Sequence, residues 1–399
     1  MTDLVKTVQN TIKEHALIAP GDLVILGFSG GPDSLCLFHA LLELKVSMGF
    51  ELAAAHINHG IRGEAADEDM RWAMEYSAAH GVPCMASAAD VPNYAKRRHL
   101  TEEEAGRMVR RDVFAYLAYG LATGKEMGKH PAGELLAKAP LPRFDAGRGS
   151  VRVALAHNLD DQAETVLMRI IRGTGTRGLS GIKYKSPMVD ALMRVAAGLD
   201  DDELRKNAKS LDISIIRPLL DVPRTAIEKY CTENQLQPRI DHTNAETDYT
   251  RNRIRLELIP QIEKDYNPNF KETLVRLAAN AAEDDAALSA EAASRALGAE
   301  KVLAPRIPKP EDKIFPASME PKPLLSEIRL DAASLKALQP AVFKRVIVLE
   351  FEKLGLTEGI SSVHLNALHG AVLKNVGGKT IEFPGGHSAS LRGGVLTLR

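Results

Sequence analysis

Alternation of short apolar runs with segments of helical spacing constrains the fold of the first 220 residues more than any other feature. The apolar runs predict buried strands at residues 22–28, 52–57, 84–87 and 151–156. The intervening segments predict helices over residues 3–16, 34–46, 65–80, 102–121 and 160–172. This alternation favours an α/β fold, a parallel sheet with helices on both faces. Ligands of such sheets bind at the carboxyl ends of the strands.

The length of 399 residues exceeds one ordinary core and suggests two or three domains. The α/β domain is predicted over residues 1–221, with an inserted loop rich in Gly, Pro and Lys at about 124–149. A mostly helical, substrate-binding region follows over 222–299. A proline-rich linker over 300–325 then leads to a small α+β region over 326–399.

Composition limits the class of protein. Hydrophobic residues make up 45% of the chain and charged residues 26%, which is typical of globular rather than disordered proteins. No apolar run is long enough to span a bilayer and no signal peptide is evident, so we expect a cytoplasmic protein. Cys36, Cys84 and Cys231 lie far apart, which argues against a disulfide framework or a cysteine-rich metal site. The net charge of −1 neither favours nor excludes nucleic acid as a partner.

The most informative segment joins the first predicted strand to the first predicted sheet helix. It consists of Ser29, Gly30, Gly31, Pro32, Asp33 and Ser34. Adjacent glycines let the backbone approach an anion, and a helix N-terminus favours phosphate. Ser29 and Ser34 add hydroxyl donors, and Ser34 also suits a helix N-cap. Asp33 suits a phosphate site only with a metal ion between them, so we interpret it as a Mg²⁺ ligand. The alternative is an ordinary strand-to-helix turn capped by Ser or Asp.

Two further segments carry residues suited to nucleotide or phosphate. Residues 56–63, at the end of the second strand, include His59 and Arg62, which are candidates to contact a nucleotide. The alternative for a histidine at a strand end is a packed, hydrogen-bonded residue. Residues 102–110 read E-E-E-A-G-R-M-V-R and place Arg107 and Arg110 on one helical face. Two guanidiniums so placed suit bidentate binding of phosphate or pyrophosphate, whereas the alternative is a solvated charged helix.

Carboxylates follow the fourth predicted strand, where residues 156–165 read A-H-N-L-D-D-Q-A-E-T. His157 ends the strand, and the acidic residues begin the next helix. Asp161 is the candidate second metal ligand or general base, with Glu164 at a neighbouring helical position. Asp160 has the simpler alternative of capping the helix.

A last group of segments is rich in arginine. Residues 217–220 read R-P-L-L, residues 241–244 read D-H-T-N, and residues 249–255 read Y-T-R-N-R-I-R. Arg251, Arg253 and Arg255 cannot all face one side of a helix. We therefore expect some of them to pair with carboxylates and others to bind phosphates.

The segment 29–34 matches the S-G-G-x-D-S signature of the PP-loop ATP pyrophosphatases, which cleave ATP between the α- and β-phosphates. The other segments resemble those of tRNA(Ile)-lysidine synthetases, and together they cover most of residues 20–265. The sequence departs from that family at Gly106, Arg111 and Thr243, where alanine, tyrosine and serine are usual. The weaker match beyond residue 265 suggests a short form without the family's extra C-terminal domain.

The resemblance implies ATP and Mg²⁺ as cofactors, and a minor tRNA(Ile) with a CAU anticodon and free L-lysine as partners. The wobble cytidine, C34, would be adenylated and then joined at C2 to lysine, giving lysidine, AMP and pyrophosphate. No membrane is implied, and no protein partner beyond a second copy of the chain in a homodimer. Implied nucleotide-binding residues are the 29–34 loop, His59 and His157; implied metal ligands are Asp33 and Asp161; implied catalytic residues are Asp33, Arg107, Arg110 and Asp161.

Three other functions compete with this interpretation. A PP-loop enzyme that thiolates a tRNA base would need reactive cysteine pairs or an iron–sulfur cluster, and the cysteines are not paired in sequence. An inactive tRNA- or nucleotide-binding module should have lost Asp33 or the 157–161 cluster. An amidotransferase-type synthetase would need a nucleophilic cysteine near a histidine.

Overall fold

A computed structural model describes residues 2–61, 63–125, 129–130, 133–138, 149–239, 250–299, 327–356, 359–375, 377–378 and 380–399. These residues form two compact units. The first contains residues up to 174 together with 181–278, and the second contains 175–180, 279–299 and 327–399. The predicted linker at 300–325 lies outside the described residues. Within the described part, no helix is long and apolar enough to cross a membrane.

The helices in chain order are α1 Asp3–Glu14, α2 Pro32–Met48, α3 Glu64–Ala79, α4 Val91–Arg98, α5 Glu102–Thr123, α6 Leu159–Arg172, α7 Thr176–Leu179, α8 Val189–Leu199, α9 Asp202–Asn207, α10 Arg224–Glu233, α11 Thr250–Arg253, α12 Ile259–Asp265, α13 Phe270–Ala299, α14 Ala332–Lys336, α15 Pro340–Lys353 and α16 Ser362–Lys374. A π-helical turn, Ile254–Leu258, separates α11 from α12, and a short 3₁₀ turn spans Pro384–Gly386.

The strands are β1 Leu23–Gly27, β2 Glu51–Asn58, β3 Cys84–Ala89, β4 Lys129–His130, β5 Gly133–Lys138, β6 Val151–Ala154, β7 Lys185–Pro187, β8 Ile213–Ile216, β9 Ile328–Asp331, β10 Thr380–Glu382, β11 Ser388–Arg392 and β12 Val395–Leu398.

The first unit is built on an eight-stranded sheet of order β4-β5-β3-β2-β1-β6-β8-β7. Its five central strands are parallel, while β5 and β7 join the edges antiparallel. The predicted α/β fold is therefore confirmed. The insertion at 124–149 was expected to be an irregular loop, and that prediction is wrong for β4 and β5, which pair with each other and extend the sheet beyond β3.

Both faces of the sheet are covered, as a parallel sheet requires. Side chains of β1 alternate: Val24 and Leu26 face a core formed with α1, α2 and α10, whereas Ile25 faces a core formed with α5 and α8. This arrangement leaves the carboxyl edge of the parallel strands as the place where loops converge.

The second unit has its own core around a four-stranded antiparallel sheet of order β10-β11-β12-β9. Phe343, Phe351 and Leu396 are among its buried side chains. The helices predicted between residues 331 and 373 and the strands near 380 and 395 are present, whereas β9 and β11 were not predicted. The prediction of an entirely helical segment at 222–298 is wrong for residues 236–239, which have no regular structure.

A buried ion-pair network ties β6 to the loops that precede β1 and β8. The guanidinium of Arg152 donates from Nε to Asp22 at 3.2 Å and from Nη1 and Nη2 to the two carboxylate oxygens of Asp212 at 2.7 Å each. Asp22 also accepts the backbone N–H groups of Ala19 and Ser150 at 2.9 and 2.8 Å. These bonds offset the free-energy cost of burying the charged carboxylate of Asp22, whose exposed fraction is 2%.

Replacing Arg152 by Gln should lower the free energy of unfolding by about 3 kcal/mol, because it leaves the buried carboxylate of Asp22 without its counter-charge. The matched control is R205Q, which breaks an exposed pair between Arg205 and Asp202 and should change stability by less than about 0.5 kcal/mol. Urea unfolding followed by the fluorescence of Trp72, the single tryptophan of the chain, reports on the first unit. Equal midpoints for the two variants would contradict this account.

Candidate active site

The 29–34 loop closes on itself through the hydroxyl of Ser34. That hydroxyl accepts the N–H of Gly30 at 3.1 Å, donates to the carbonyl of Gly31 at 3.1 Å, and lies 3.1 Å from the hydroxyl of Ser29. Helix α2 begins at Pro32 with Gly31 as its N-cap, so the prediction that Ser34 caps the helix is wrong. Pro32 suits the first helical position because its missing N–H would have no partner there. The Ser34 hydroxyl thus fixes the shape of the loop from inside the first helical turn.

Gly30 and Gly31 serve the loop differently. Gly30 has a φ of +85°, and a Cβ there would lie 2.8 Å from the ring of Trp72 on α3. Its carbonyl accepts the N–H of Arg239 at 3.0 Å. Gly31 has a φ of −69°, and among the described residues a Cβ there would meet only the Ser29 hydroxyl, at 3.7 Å. The fold therefore requires glycine at position 30, whereas at position 31 it leaves space over the backbone.

Asn158, at the start of α6, joins the two candidate carboxylates. Its side-chain amide donates to Asp33 at 2.8 Å, and its side-chain oxygen accepts the N–H of Asp161 at 3.0 Å. The carboxylate of Asp161 in turn accepts the backbone N–H of Asn158 at 3.1 Å, which completes a capping box. Burial raises the pKa of Asp33, while Arg224 and the Asn158 hydrogen bond oppose that rise. The structure thus brings Asp33 and Asp161 together, as the sequence predicted.

Arg251 binds two carboxylates at the start of α6. Its guanidinium donates from Nη2 to Asp161 and from Nε to Glu164, each at 2.7 Å. Glu164 is almost completely buried, and this burial raises its pKa against the opposing charge of Arg251. Burial opposes the charged form of Arg251 too, but Asp161 and Glu164 raise its pKa.

All three arginines of the 249–255 segment lie near carboxylates, which confirms the predicted pairing, while phosphate binding by any of them stays a prediction. Arg255 lies 3.9 Å from Glu164, whereas Arg253 pairs with Glu257 at the surface, 3.8 Å away. Residues 241–244 and Tyr249 from the same group of segments lie outside the described residues.

Asp160 has a structural role, but not the one considered for it. The N-cap of α6 is Asn158, and its capping-box partner is Asp161. Asp160 instead accepts the backbone N–H of Arg224 at 2.8 Å and pairs with Lys271 at 3.0 Å. It therefore joins α6 to α10 and α13.

His157 lies beside this cluster as a neutral imidazole. Burial lowers its pKa to about 4; the charge of Asp161 opposes this shift, whereas nearby arginines, Arg217 foremost, reinforce it. Its Nδ1 is buried and has no hydrogen-bond partner among the residues that the structure describes. An imidazole with an unpaired nitrogen is available to bond a ligand.

Two elements, β8 and α5, position further cations near His157. Arg217 directly follows β8, and its Nη1 donates to the carbonyl of Lys183 at 2.5 Å; burial lowers its pKa to about 10. The side chain of Arg110, on α5, is partly open to solvent. Even so, the protein atoms that surround its guanidinium lower its pKa, and the charge of Arg107 lowers it further. Arg107 itself pairs with Glu103 at 2.5 Å on the exposed face of α5. The structure therefore brings Arg110 near His157 and engages Arg107 in a surface pair.

His59 lies directly after β2, at the carboxyl edge where it was expected. Its carbonyl accepts the N–H of Val91 at 3.2 Å, which ties it to the start of α4. Arg62, from the same predicted segment, lies outside the described residues.

Comparison with known proteins places this geometry in a family. The PP-loop domain matches residues 2–122 and 145–262, which include every element of the cluster just described. The chain belongs to the PP-loop family. Membership in this family implies that the protein uses ATP.

The PP-loop chain is also similar to curated proteins named tRNA(Ile)-lysidine synthase. That of Clostridioides difficile is 36% identical over 72% of this chain and 51% of its own length. That of Clostridium acetobutylicum is 37% identical over 69% of this chain and 48% of its own. That of Caldanaerobacter subterraneus is 33% identical over 91% and 62%. The chain thus spans about half to three fifths of the length of these relatives.

Sequence reasoning missed the contributions of Asn158 and Arg217 to the PP-loop site. A signal for Asn158 was present, because an N-cap asparagine three residues before Asp161 has the spacing of a capping box. No local signal could place Arg217 beside His157, since their proximity depends on β8 pairing with β6.

The two glycines of the PP-loop provide a matched pair of variants. Gly30→Ala should lower the free energy of unfolding by about 1–3 kcal/mol, because of its positive φ and its contact with Trp72. Gly31→Ala should stay within about 0.5 kcal/mol of the wild type, since its backbone is in a region open to alanine. Urea midpoints measure both effects, and equal destabilisation by the two would contradict the assignment of the steric requirement to position 30.

His157 should make stability depend on pH below 6.5. Its folded-state pKa lies below its unfolded value, so the unfolded chain takes up a proton that the folded chain excludes. The contribution of neutral His157 to the free energy of unfolding is therefore fully present above pH 6.5 and decreases towards pH 4. Between pH 7 and pH 5, the free energy of unfolding should fall by about 1–2 kcal/mol less in the His157→Gln variant than in the wild type. Urea midpoints at both pH values test this, with His99→Gln, a change at an exposed histidine, as the control. An H157Q protein with the wild-type pH response would refute the prediction.

Proposed function

We propose that this chain carries the catalytic activity of a tRNA(Ile)-lysidine synthase and acts in the cytoplasm. In the proposed reaction, the C2 oxygen of C34 in a CAU anticodon attacks the α-phosphate of ATP and releases pyrophosphate. The ε-amine of free L-lysine then attacks C2, and AMP leaves. The observation that carries the proposal is the Asn158-bridged pair of Asp33 and Asp161 beside the PP-loop. The names of the relatives support tRNA(Ile) as the substrate.

The PP-loop backbone and the nearby cations are suited to the phosphates of ATP. The open space over Gly31 lets an anion approach the N–H groups at the start of α2, where the helix dipole favours negative charge. Arg110 and Arg217 lie near His157 and are suited to the charge that develops on pyrophosphate. We assign Arg107 a supporting electrostatic role, because Glu103 already engages its guanidinium.

Asp33 fits the role of Mg²⁺ ligand better than Asp161 does. Among the described residues, the carboxylate of Asp33 accepts one hydrogen bond, from Asn158, and its second oxygen has none. Both oxygens of Asp161 are engaged, one by the N–H of Asn158 and the other by Arg251. Mg²⁺ would supply charge neutralisation between Asp33 and the phosphates. Asp161 would join as a metal ligand only if Arg251 moved away from it.

The carboxylates of Asp161 and Glu164 are suited to accept a proton from lysine. A lysine amine is mostly protonated at neutral pH and must lose its proton before it attacks. Asp161 is the proposed general base, and Glu164, whose pKa burial raises, lies within reach of the same guanidinium of Arg251. Displacement of Arg251 would free both carboxylates for the amine.

The two histidines are proposed to contact the nucleotide. His157 is neutral at physiological pH, and its Nδ1 has no hydrogen-bond partner within the described ranges of the chain. His59 lies at the same edge of the sheet. A neutral imidazole binds a base or ribose without adding charge near the phosphates.

The properties of the cysteines disfavour the main alternative, tRNA thiolation. All three cysteines are described and buried, and burial raises the pKa of Cys84 and of Cys231 to about 11 and that of Cys36 further. Thiols of this kind are protonated and poor nucleophiles. An inactive binding module is disfavoured because Asp33, Asn158 and Asp161 form a complete cluster.

The test is incorporation of ¹⁴C-lysine into bulk bacterial tRNA in a single turnover. Label that depends on ATP and appears in one minor isoleucine tRNA is expected. Asp33→Asn should slow incorporation at least about 100-fold, because it removes the proposed Mg²⁺ ligand. The control Asp160→Asn changes a neighbouring carboxylate that serves only structural contacts, and should retain activity within about threefold. Pyrophosphate release without lysine incorporation would refute lysine as the nucleophile, and full activity of D33N would refute the assigned site.

A further inference from the structure

A set of exposed cations lies on the α4–α5 helix pair. We call Lys96, Arg97, Arg98, Arg110 and Arg111 the α4–α5 basic surface, and all five are exposed. The first three form the last turn of α4, and the other two lie in the N-terminal half of α5. A helix C-terminus favours a basic residue, but one charge is enough for that effect. Three consecutive cations beside two more need another explanation.

The basic surface lies at the carboxyl edge of the sheet. Helix α4 begins two residues after β3 ends, and the N–H of Val91 bonds the carbonyl of His59 at 3.2 Å. Phe114 of α5 contacts the end of β1, since a Cβ on Gly27 would lie 2.9 Å from its ring. The residues that precede Phe114 in α5 therefore extend beyond the strand ends, on the side of the PP-loop.

The charges of this surface are only partly balanced within the described part of the chain, where Asp112 lies near Arg98 and Arg111 but forms its ion pair with Arg194. Its five residues make no ion pair there, whereas the neighbouring Arg107 pairs with Glu103 and Arg194 with Asp112. Arg98 lies over the ring of Tyr94, 5.6 Å from its centroid. Carboxylates nearby are committed elsewhere, as when Glu104 accepts from Thr101 in a capping box. The cations repel one another, and a polyanion would relieve that repulsion.

The basic surface continues into the active site. Arg111 lies near enough to Arg217 to lower its pKa, and Arg110 does the same to His157. Helices α4 and α5 pack against each other, since a Cβ on Gly106 would lie 3.9 Å from the side chain of Val91, and Arg98 and Arg111 both lie near Asp112. The cations of the two helices are therefore neighbours, an arrangement that suits a ligand carrying several phosphates.

We propose that the α4–α5 basic surface binds the RNA sugar–phosphate backbone that flanks the nucleotide held in the active site. This proposal rests on the proposed function for the presence of RNA, and it adds the surface that holds the strand. The surface contacts backbone phosphates, so its contribution depends strongly on salt and little on base sequence.

The test compares two triple variants that remove equal charge. K96Q/R97Q/R98Q removes the α4 part of the surface and leaves the site residues in place. K13Q/K206Q/K209Q removes three exposed lysines from α1 and from the region around α9. Binding of tRNA by the full chain is measured at several salt concentrations. The first variant should reduce the slope of log affinity against log salt by about 2 and weaken binding at 0.1 M salt by roughly tenfold or more. The control should change affinity less than about twofold.

Several outcomes separate this proposal from the proposed function. Equal slopes for the two triple variants would overturn the basic surface, whatever the fate of lysine incorporation. A slope change confined to the first variant, with no lysine incorporated by the wild type, would support the surface and refute the reaction. Tighter binding of the wild type to phosphatidylglycerol vesicles than to tRNA through the same residues would overturn RNA as the partner. The single variant R97Q should reduce the slope of log affinity against log salt by about one third as much as the triple variant does. Such a graded effect would show that the triple variant does not lose affinity through misfolding.

Discussion

Two carboxylates stand close together in this protein because one amide side chain, that of Asn158, bonds to both sides of the gap between two helices. It donates to Asp33 in the first turn of α2 and caps α6 through Asp161. Each carboxylate lies at a helix N-terminus, where the helix dipole offsets part of its charge. Arg224 near Asp33 and Arg251 on Asp161 offset more. Asn158 therefore holds the carboxylate of Asp33 against the start of α6, while the pairing of β1 with β6 sets the position of the loop.

Local patterns in the sequence were sufficient to predict the α/β fold and the meeting of Asp33 with the 157–164 segment. Both follow from apolar periodicity and from the rule that parallel strands end at the same edge. The convergence of Arg217 on His157 was beyond such patterns, because it depends on strand order, and β8 lies beside β6 only after a crossover. Strands β4 and β5 were missed for a related reason. Their composition resembles a loop, and the pairing of β5 with β3 and of β4 with β5 determines their conformation.

At the N-termini of α2 and α6, the sequence offered more than one candidate capping residue, and the structure uses the less obvious one. Ser34 has the chemistry of an N-cap, yet the helix starts two residues earlier, and Gly31 occupies that position. Asp160 likewise has the chemistry of a cap, yet Asn158 and Asp161 share the task. In both cases several polar residues compete for the same few unpaired N–H groups, and tertiary contacts decide among them.

The internal hydrogen bonds of the PP-loop have a consequence for the energetics of binding. Ser34 already joins both ends of the loop, and Trp72 supports it from behind at Gly30. A loop held in this way is preorganised, so a phosphate that binds to it loses little free energy to the ordering of the backbone. Affinity is then determined mainly by the contacts and charge that the ligand meets, and selectivity among nucleotides becomes a matter of the fixed shape of the cradle rather than of its ability to adapt.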